Sequence, residues 1–342
     1  MQRAACGGKS LDLPVRHPYH EASHREIVLT PAAAKTRGAP LPSDAALASA
    51  ANRRGILAML AAMTFFTGSD AIVKMATAQL PTGQIMATRG IFAMIIVLGL
   101  MAARGELHHL RSVTDARVLS RAGLEALIAF LFIMCLAVLP LANLTAVLQA
   151  TPMILTLIAV AFGLERVGWR RWSAIIVGFI GVLLIVKPSV AGFNAYALIS
   201  LATATLVAIR DLVTRTIGTH IATTLVTFTT TAATTGLGVL LFFAEDWRPL
   251  TWSEIAMLAS AAAFVSAGNL AIVQAFRVGE MSVVSPFRYS IILTSLLAGL
   301  LVFGEWPDLV SCAGIALIML SGLYTIRREQ IRARAAASGE AA

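Results

Sequence analysis

Asp70 and Lys74 stand four residues apart in the run TGSDAIVKMA, and Asp211 and Arg215 stand four apart in AIRDLVTRTI. On a helix this spacing puts each pair on one face, one turn apart, where opposite charges can neutralise each other. Both runs are embedded in apolar sequence, where an ionisable group is costly and marks a functional candidate. Two chemistries fit. The pairs can be static ion pairs that lock helices together. Alternatively, one aspartate can take up and release a proton during a working cycle, tuned by burial. Arg89 in ATRGIFAM and Arg288 in PFRYS add two more charges. A guanidinium facing a polar cavity grips a carboxylate or phosphate through two parallel hydrogen bonds. Phe287 and Tyr289 flank Arg288 and offer faces on which a planar ring can stack.

Prolines locate a second set of candidates. Pro152 follows Gln149 and Thr151, and Pro286 lies between Ser285 and Arg288. A proline inside an apolar run interrupts the helix, and interrupted helices inside a membrane are tolerated mainly where they line a cavity. Gln149 and Asn269 are neutral hydrogen-bonding groups for such a cavity. Asn143, Thr145 and Gln274 could face it too, or tie helices to one another. No Walker A run, zinc motif, nucleophile elbow or kinase signature accompanies these residues, so neither ATP hydrolysis nor a resident cofactor or metal is expected. Transport against a gradient would have to draw on an ion gradient or an exchanged solute. His17, His20 and His24 have a spacing that could hold a metal on a helix, against the plainer reading of a polar tail.

The elements that position these residues follow from composition. Of 342 residues, 58% are hydrophobic and 13% charged, against roughly 25% charged in soluble domains. That defines an all-α integral membrane protein, since no period-2 barrel pattern occurs and a helix satisfies its own backbone in lipid. The three cysteines are scattered and set up no disulfide framework. Runs of about the roughly 20 residues that cross a bilayer predict ten spans, at 55–78, 82–103, 118–138, 141–163, 170–187, 194–215, 221–243, 253–276, 281–303 and 307–326.

The net charge of +9 would suggest nucleic acid in a soluble protein. Here the bases gather at alternate ends of the spans: Arg53 and Arg54, Arg104 to Arg121, Arg166 to Arg171, Arg215, Arg277, and Arg327 to Arg334. The positive-inside rule then predicts cytoplasmic termini and an inner-membrane location, with the bilayer as partner and no nucleic acid.

Landmarks recur at about 140 residues: Asp70 with Asp211, GLERVGW around Glu165 with FGEWPD around Glu305, and GVLLIVK with GLYTIRR. Five spans are an odd number, so the second unit must insert upside down relative to the first. The expected architecture is ten transmembrane helices as two inverted five-helix repeats, 53–189 and 190–328. Residues 1–52 are expected to be a disordered cytoplasmic tail, with Met59 an alternative start, and 329–342 a second tail. Glu165 and Glu305 read as loop caps at helix ends. Gly178, Gly181, Gly314 and Gly322 read as close-packing points.

The run TAVLQATPMILTLIAVAFGLERVGWRRWSAIIVGFIGVLLIVKP resembles the end of the first repeat in the drug/metabolite transporter superfamily, EamA-like group. The run AFRVGEMSVVSPFRYSIILTSLLAGLLVFGEWPD resembles its second-repeat counterpart, and SPFRY followed by FGEWPD resembles the branch of S-adenosylmethionine and riboflavin uptake carriers. The resemblance covers roughly 54–328 and implies a secondary transporter of a small organic metabolite, with a site near midplane. It implies uptake of a vitamin or cofactor, with export of amino acids or drugs as the rival. A homodimer is compatible with it. Glu125 departs from the pattern, which calls for an uncharged residue in LSRAGLEAL. Glu125 therefore joins Asp70, Lys74 and Asp211 as an ion-coupling candidate, beside Arg288, Tyr289, Phe287, Arg89, Gln149 and Asn269 for substrate. A membrane-embedded lipid-modifying enzyme and a non-transporting sensor are the readings from other classes.

Overall fold

A computed structural model describes residues 44–108, 115–163, 168–187, 195–217 and 221–337. Glu165, the histidines of the N-terminal tail and the rest of 1–43 lie outside the described residues. The described chain is helical throughout: α1 Asp44–Thr77, α2 Thr82–Ala103, α3 Ala116–Val138, α4 Leu141–Leu148, α5 Thr151–Ala161, α6 Trp169–Val186, α7 Ala195–Thr216, α8 Thr223–Leu240, α9 Trp252–Val278, α10 Met281–Val284, α11 Ser290–Phe303 and α12 Leu309–Ala337. These make 10 membrane spans. Helices α4 and α5 share the fourth span. Helix α10, a 3-10 turn over Ser285–Tyr289 and α11 share the ninth. The expected ends hold to within a few residues. At both chain ends the helices run further: α1 starts inside the stretch expected as a tail, and α12 continues through most of the other.

Both proline breaks have a local cause. Pro152 has no N–H to give the Leu148 carbonyl, and its ring crowds that carbonyl. The Thr151 hydroxyl takes over, donating to Leu148 O at 2.6 Å. The chain therefore steps at Gln149–Ala150 without leaving an orphan acceptor. Around Pro286, the Ser285 hydroxyl donates to Met281 O at 2.6 Å, and the backbone tightens to a 3-10 turn through Tyr289.

Packing runs almost entirely between the two halves. Helix α1 lies on α9 and α11, α2 on α8 and α9, α3 on α7 and α8, α4 and α5 on α7, α4 on α11, and α6 on α12. This pattern is unchanged when each span is exchanged with the one five places later. Polar side chains stitch the contacts: Thr67 meets Thr294 at 2.7 Å, Thr145 donates to Ser295 at 3.1 Å, and Ser69 donates to Ala261 O at 3.1 Å. Thr145 is thus an interhelical tie. Helices α6 and α12 approach backbone to backbone. A Cβ on Gly181 would stand 2.7 Å from the Gly314 carbonyl, and one on Gly314 would stand 2.6 Å from the Gly181 carbonyl. Only glycine allows that approach. Large apolar residues such as Ile95, Ile180, Leu240 and Leu301 point outward, as a lipid-facing surface requires.

Candidate functional site

The charges inside the spans do not pair within their own helices as the four-residue spacing suggests. Lys74 turns away from Asp70 and bridges to Glu305 Oε1 at 2.5 Å, while donating to Leu139 O at 2.8 Å. The Phe303 ring lies 5.1 Å from the Lys74 ammonium. The second Glu305 oxygen accepts from Leu141 N–H at 3.1 Å, at the start of α4. Glu305 is therefore more than a loop cap: one carboxylate ties α1, the α3–α4 corner and the end of α11. Asp70 instead lies within electrostatic reach of Arg89, on the neighbouring α2.

Asp211 likewise does not pair with Arg215. Its partner is Arg210, whose Nη2 donates to Asp211 Oδ1 at 2.6 Å. Nη1 of the same guanidinium donates to Glu125 Oε2 at 2.7 Å, across from α3. Glu125 thus finds its counterion on α7. The sequence reading missed Arg210. The signal was available: a glutamate out of place in α3 needs a cation, and Arg210 is the one unassigned base in the opposite run.

Two chambers open from the end of the bundle where Arg215, Arg277 and Arg104 lie. The first, about 660 Å³, is bounded by the step in the fourth span and the 3-10 turn of the ninth, and Gln149, Pro152, Arg210, Asp211, Arg288 and Tyr289 line it. Two arginines on its wall, Arg215 and Arg288, have no acid paired with them among the described residues. Tyr289 is 4% exposed, and its ring fills the space that a Cβ on Gly322 would need, with its hydroxyl 2.0 Å from that position. Gly322 is what lets this aromatic lie flat against α12.

The second chamber, about 680 Å³, is lined by Arg121, Glu125, Thr214, Thr230 and Asn269, and again by Arg210. Arg121 is held by hydroxyls, donating from Nε to Thr214 at 3.0 Å and from Nη1 to Thr230 at 2.6 Å. Arg210 is the wall common to both spaces. The substrate candidates therefore divide. Gln149, Arg288 and Tyr289 meet in the first chamber with Asp211, and Asn269 lies in the second with Glu125. Phe287 is a partly exposed ring outside the lining, and Arg89 stays with Asp70 outside both. Phe65 and Phe66 are packing rings, the first edge-on to Phe264 at 5.8 Å and the second against Gly268.

Side-chain ties cross the opposite end. Besides Lys74–Glu305, Glu245 accepts from the Gly83 N–H at 2.8 Å and caps α2, Gln84 donates to Arg248 O, and Arg248 pairs with Glu254. Lys187, in the left-handed conformation that ends α6, bridges to Asp308 at 2.7 Å. Hydrogen bonds from Lys187 and Ser311 hold the Asp308 carboxyl down at about 2.

Ten apolar spans, internal ion pairs, polar chambers reaching in from one end and ties across the other are an arrangement that suits a membrane transporter. Residues 53–187 match the EamA-like transporter family. The chain is similar to a riboflavin transporter of Vibrio cholerae serotype O1, 27% identical over 285 residues, 82% of this chain and 95% of the relative. It is similar to an S-adenosylmethionine uptake transporter of Rickettsia bellii, 26% identical over 195 residues, 57% of this chain and 67% of the relative. A pseudopaline exporter of Pseudomonas aeruginosa is 27% identical over 276 residues, 80% and 96% respectively. One solved crystal structure superposes with a TM-score of 0.58 at 16% identity, over 82% of this chain and 99% of that one, which shows a shared fold. The first half of the chain thus matches the EamA-like transporter family, and the relatives it resembles are named as transporters.

Proposed function

We propose that the protein is a secondary transporter that takes up a small organic metabolite with a planar, carbonyl-rich or anionic edge across the inner membrane. The observation that carries this is the first chamber, where Arg288 and Arg215, with no acid paired to them among the described residues, share the lining with Gln149 and the buried ring of Tyr289. A guanidinium fork beside an aromatic face suits a flat heterocycle with carbonyl or carboxylate oxygens. Among the ligands named for the relatives, riboflavin fits that description better than S-adenosylmethionine, whose sulfonium cation would face three arginines against one aspartate. In this reading both termini are cytoplasmic, the chambers open to the cytoplasm, and the tied end faces outward. Residues 53–189 and 190–328 form inverted repeats, which the exchange symmetry of the helix pairing supports. The same arginines favour one second reading, export of a carboxylate-rich metabolite.

Counterflow in proteoliposomes tests both. Labelled riboflavin should accumulate against preloaded riboflavin and not against preloaded S-adenosylmethionine. Accumulation of a tricarboxylate without any riboflavin signal would move the assignment to the second reading, and no counterflow of either would remove the substrate proposal. Arg288→Lys keeps the charge and loses the fork, so substrate affinity should fall about tenfold with the melting temperature unchanged. Normal affinity in that variant would make Arg288 a structural anchor.

Coupling is proposed to involve the two repeat-related aspartates, each near an arginine: Asp70 near Arg89, and Asp211 bonded to Arg210, which also holds Glu125. Asp70→Asn should abolish uptake driven by a pH gradient while leaving solute exchange intact, because the amide cannot carry the proton. Unchanged pH-driven uptake would assign Asp70 to a static pair.

A further inference from the structure

A third cavity, about 290 Å³, lies between α2, α8 and α9, beside the second chamber. Its two ends differ in chemistry. Arg104, immediately after α2, and Arg277, in the last turn of α9, stand at one level with Thr223 and Thr224, which begin α8. Neither arginine has an acid paired with it among the described residues, and no acid lines the cavity. Glu106 at the rim is engaged, accepting the Thr224 hydroxyl at 2.6 Å. No side chain caps the N-terminus of α8, so its first N–H groups add to the positive end. Deeper along the same helices the lining turns apolar, with Ile96, Val97 and Leu100 on α2 and Leu270 and Val273 on α9. Seven or eight residues of helix separate the two zones, about 10–12 Å along the bilayer normal.

We infer that this groove is a binding site for an anionic phospholipid, its phosphate between Arg104 and Arg277 and one acyl chain along Ile96, Leu100 and Leu270. Paired cations at the helix ends with apolar residues beneath match the order of a lipid from headgroup to tail, and basic pockets between spans are where anionic headgroups bind. A free phosphate would use the arginines and leave the apolar part unfilled. A zwitterionic lipid would fill the apolar part, with its own cation set against two arginines. The groove shares Thr223, Thr227, Asn269 and Val273 with the wall of the second chamber. A lipid seated here therefore presses on the polar space from its lipid side.

The test compares phosphatidylglycerol, phosphatidylcholine of the same chains, and glycerol phosphate on the delipidated full chain, by native mass spectrometry and thermal melting. Phosphatidylglycerol should bind as a discrete adduct and raise the melting temperature, with at least tenfold preference over phosphatidylcholine, and millimolar glycerol phosphate should not displace it. The preference should vanish in Arg104→Gln/Arg277→Gln. Both side chains are exposed, so the lipid-free melting temperature should hold. Ile96→Trp, which fills the apolar part and keeps both charges, should weaken binding separately. Equal binding of phosphatidylcholine, or an undiminished preference in the double variant, overturns the site. Displacement by glycerol phosphate overturns the lipid and leaves a soluble phosphate ester as the ligand.

Discussion

Arg210→Ala is expected to destabilise the protein by about 2–3 kcal/mol and to abolish solute binding. The value lies between the roughly 1 kcal/mol of a solvated pair and the 3–5 of a fully buried one, because Arg210 is 20% exposed and Asp211 40%. The loss arises from what is left behind: Glu125 and Asp211 keep their charges beside a chamber with their bonded cation gone. Two comparisons separate this from simple truncation. Arg210→Lys retains the charge but reaches one carboxylate at a time, so stability should recover more than binding does. Adding Glu125→Gln to Arg210→Ala removes one stranded charge and should regain part of the melting temperature, a coupling that independent sites would not show. Wild-type melting and binding in Arg210→Ala would mean that the guanidinium is not the common wall of the two chambers.

Lys74→Ala should loosen the end that Lys74 and Glu305 tie together. Lys74 is 10% exposed and Glu305 27%, so this pair is better shielded than the Arg210 pairs. Removing the ammonium leaves the Glu305 carboxylate with the Leu141 N–H as its remaining donor and frees the Leu139 carbonyl. A loss of about 3 kcal/mol shifts a two-state balance by roughly a hundredfold. The chain carries a built-in reporter of that shift. Cys135, near the end of α3, is fully buried, with its thiol donating to Tyr196 O at 3.4 Å. In a Cys6→Ser/Cys312→Ser background, a membrane-impermeant maleimide should modify Cys135 at least tenfold faster in Lys74→Ala than with Lys74 present. Lys74→Met combined with Glu305→Gln strands no charge and should bring the rate back down. If Cys135 stays equally protected in all of these, the Lys74–Glu305 bridge does not hold that end closed.

Helix content and membrane spans were legible because each span is long and apolar enough to announce itself, and the proline steps were legible because Pro152 and Pro286 act locally. Charge partners were not. Lys74 meets an acid 231 positions away, while sequence spacing offers Asp70 one turn off. The local choice fails because Asp70 lies within electrostatic reach of Arg89 on the neighbouring helix and Lys74 reaches the end of α11. Arg210 escaped notice for a similar reason. It sits next to Asp211 rather than a turn away, and its second partner, Glu125, lies on another helix. The candidates at the breaks, Gln149, Arg288 and Tyr289, do converge, since the steps that mark them in the sequence are what bound the chamber. Phe287 does not, because the tight 3-10 turn fans adjacent side chains in different directions, and Tyr289 rather than Phe287 lines the space.

The cross-half packing has a consequence for biogenesis. Helices of the first half lie mainly on helices of the second, and Lys74 waits for Glu305 through 231 further residues of synthesis. At roughly 5–20 residues per second, that is on the order of 10–50 s. During that interval a newly inserted lysine stands in the bilayer without its mate. The nascent half must be shielded by the insertion machinery, or by lipid headgroups drawn toward the charge, until the ribosome has delivered the ninth span.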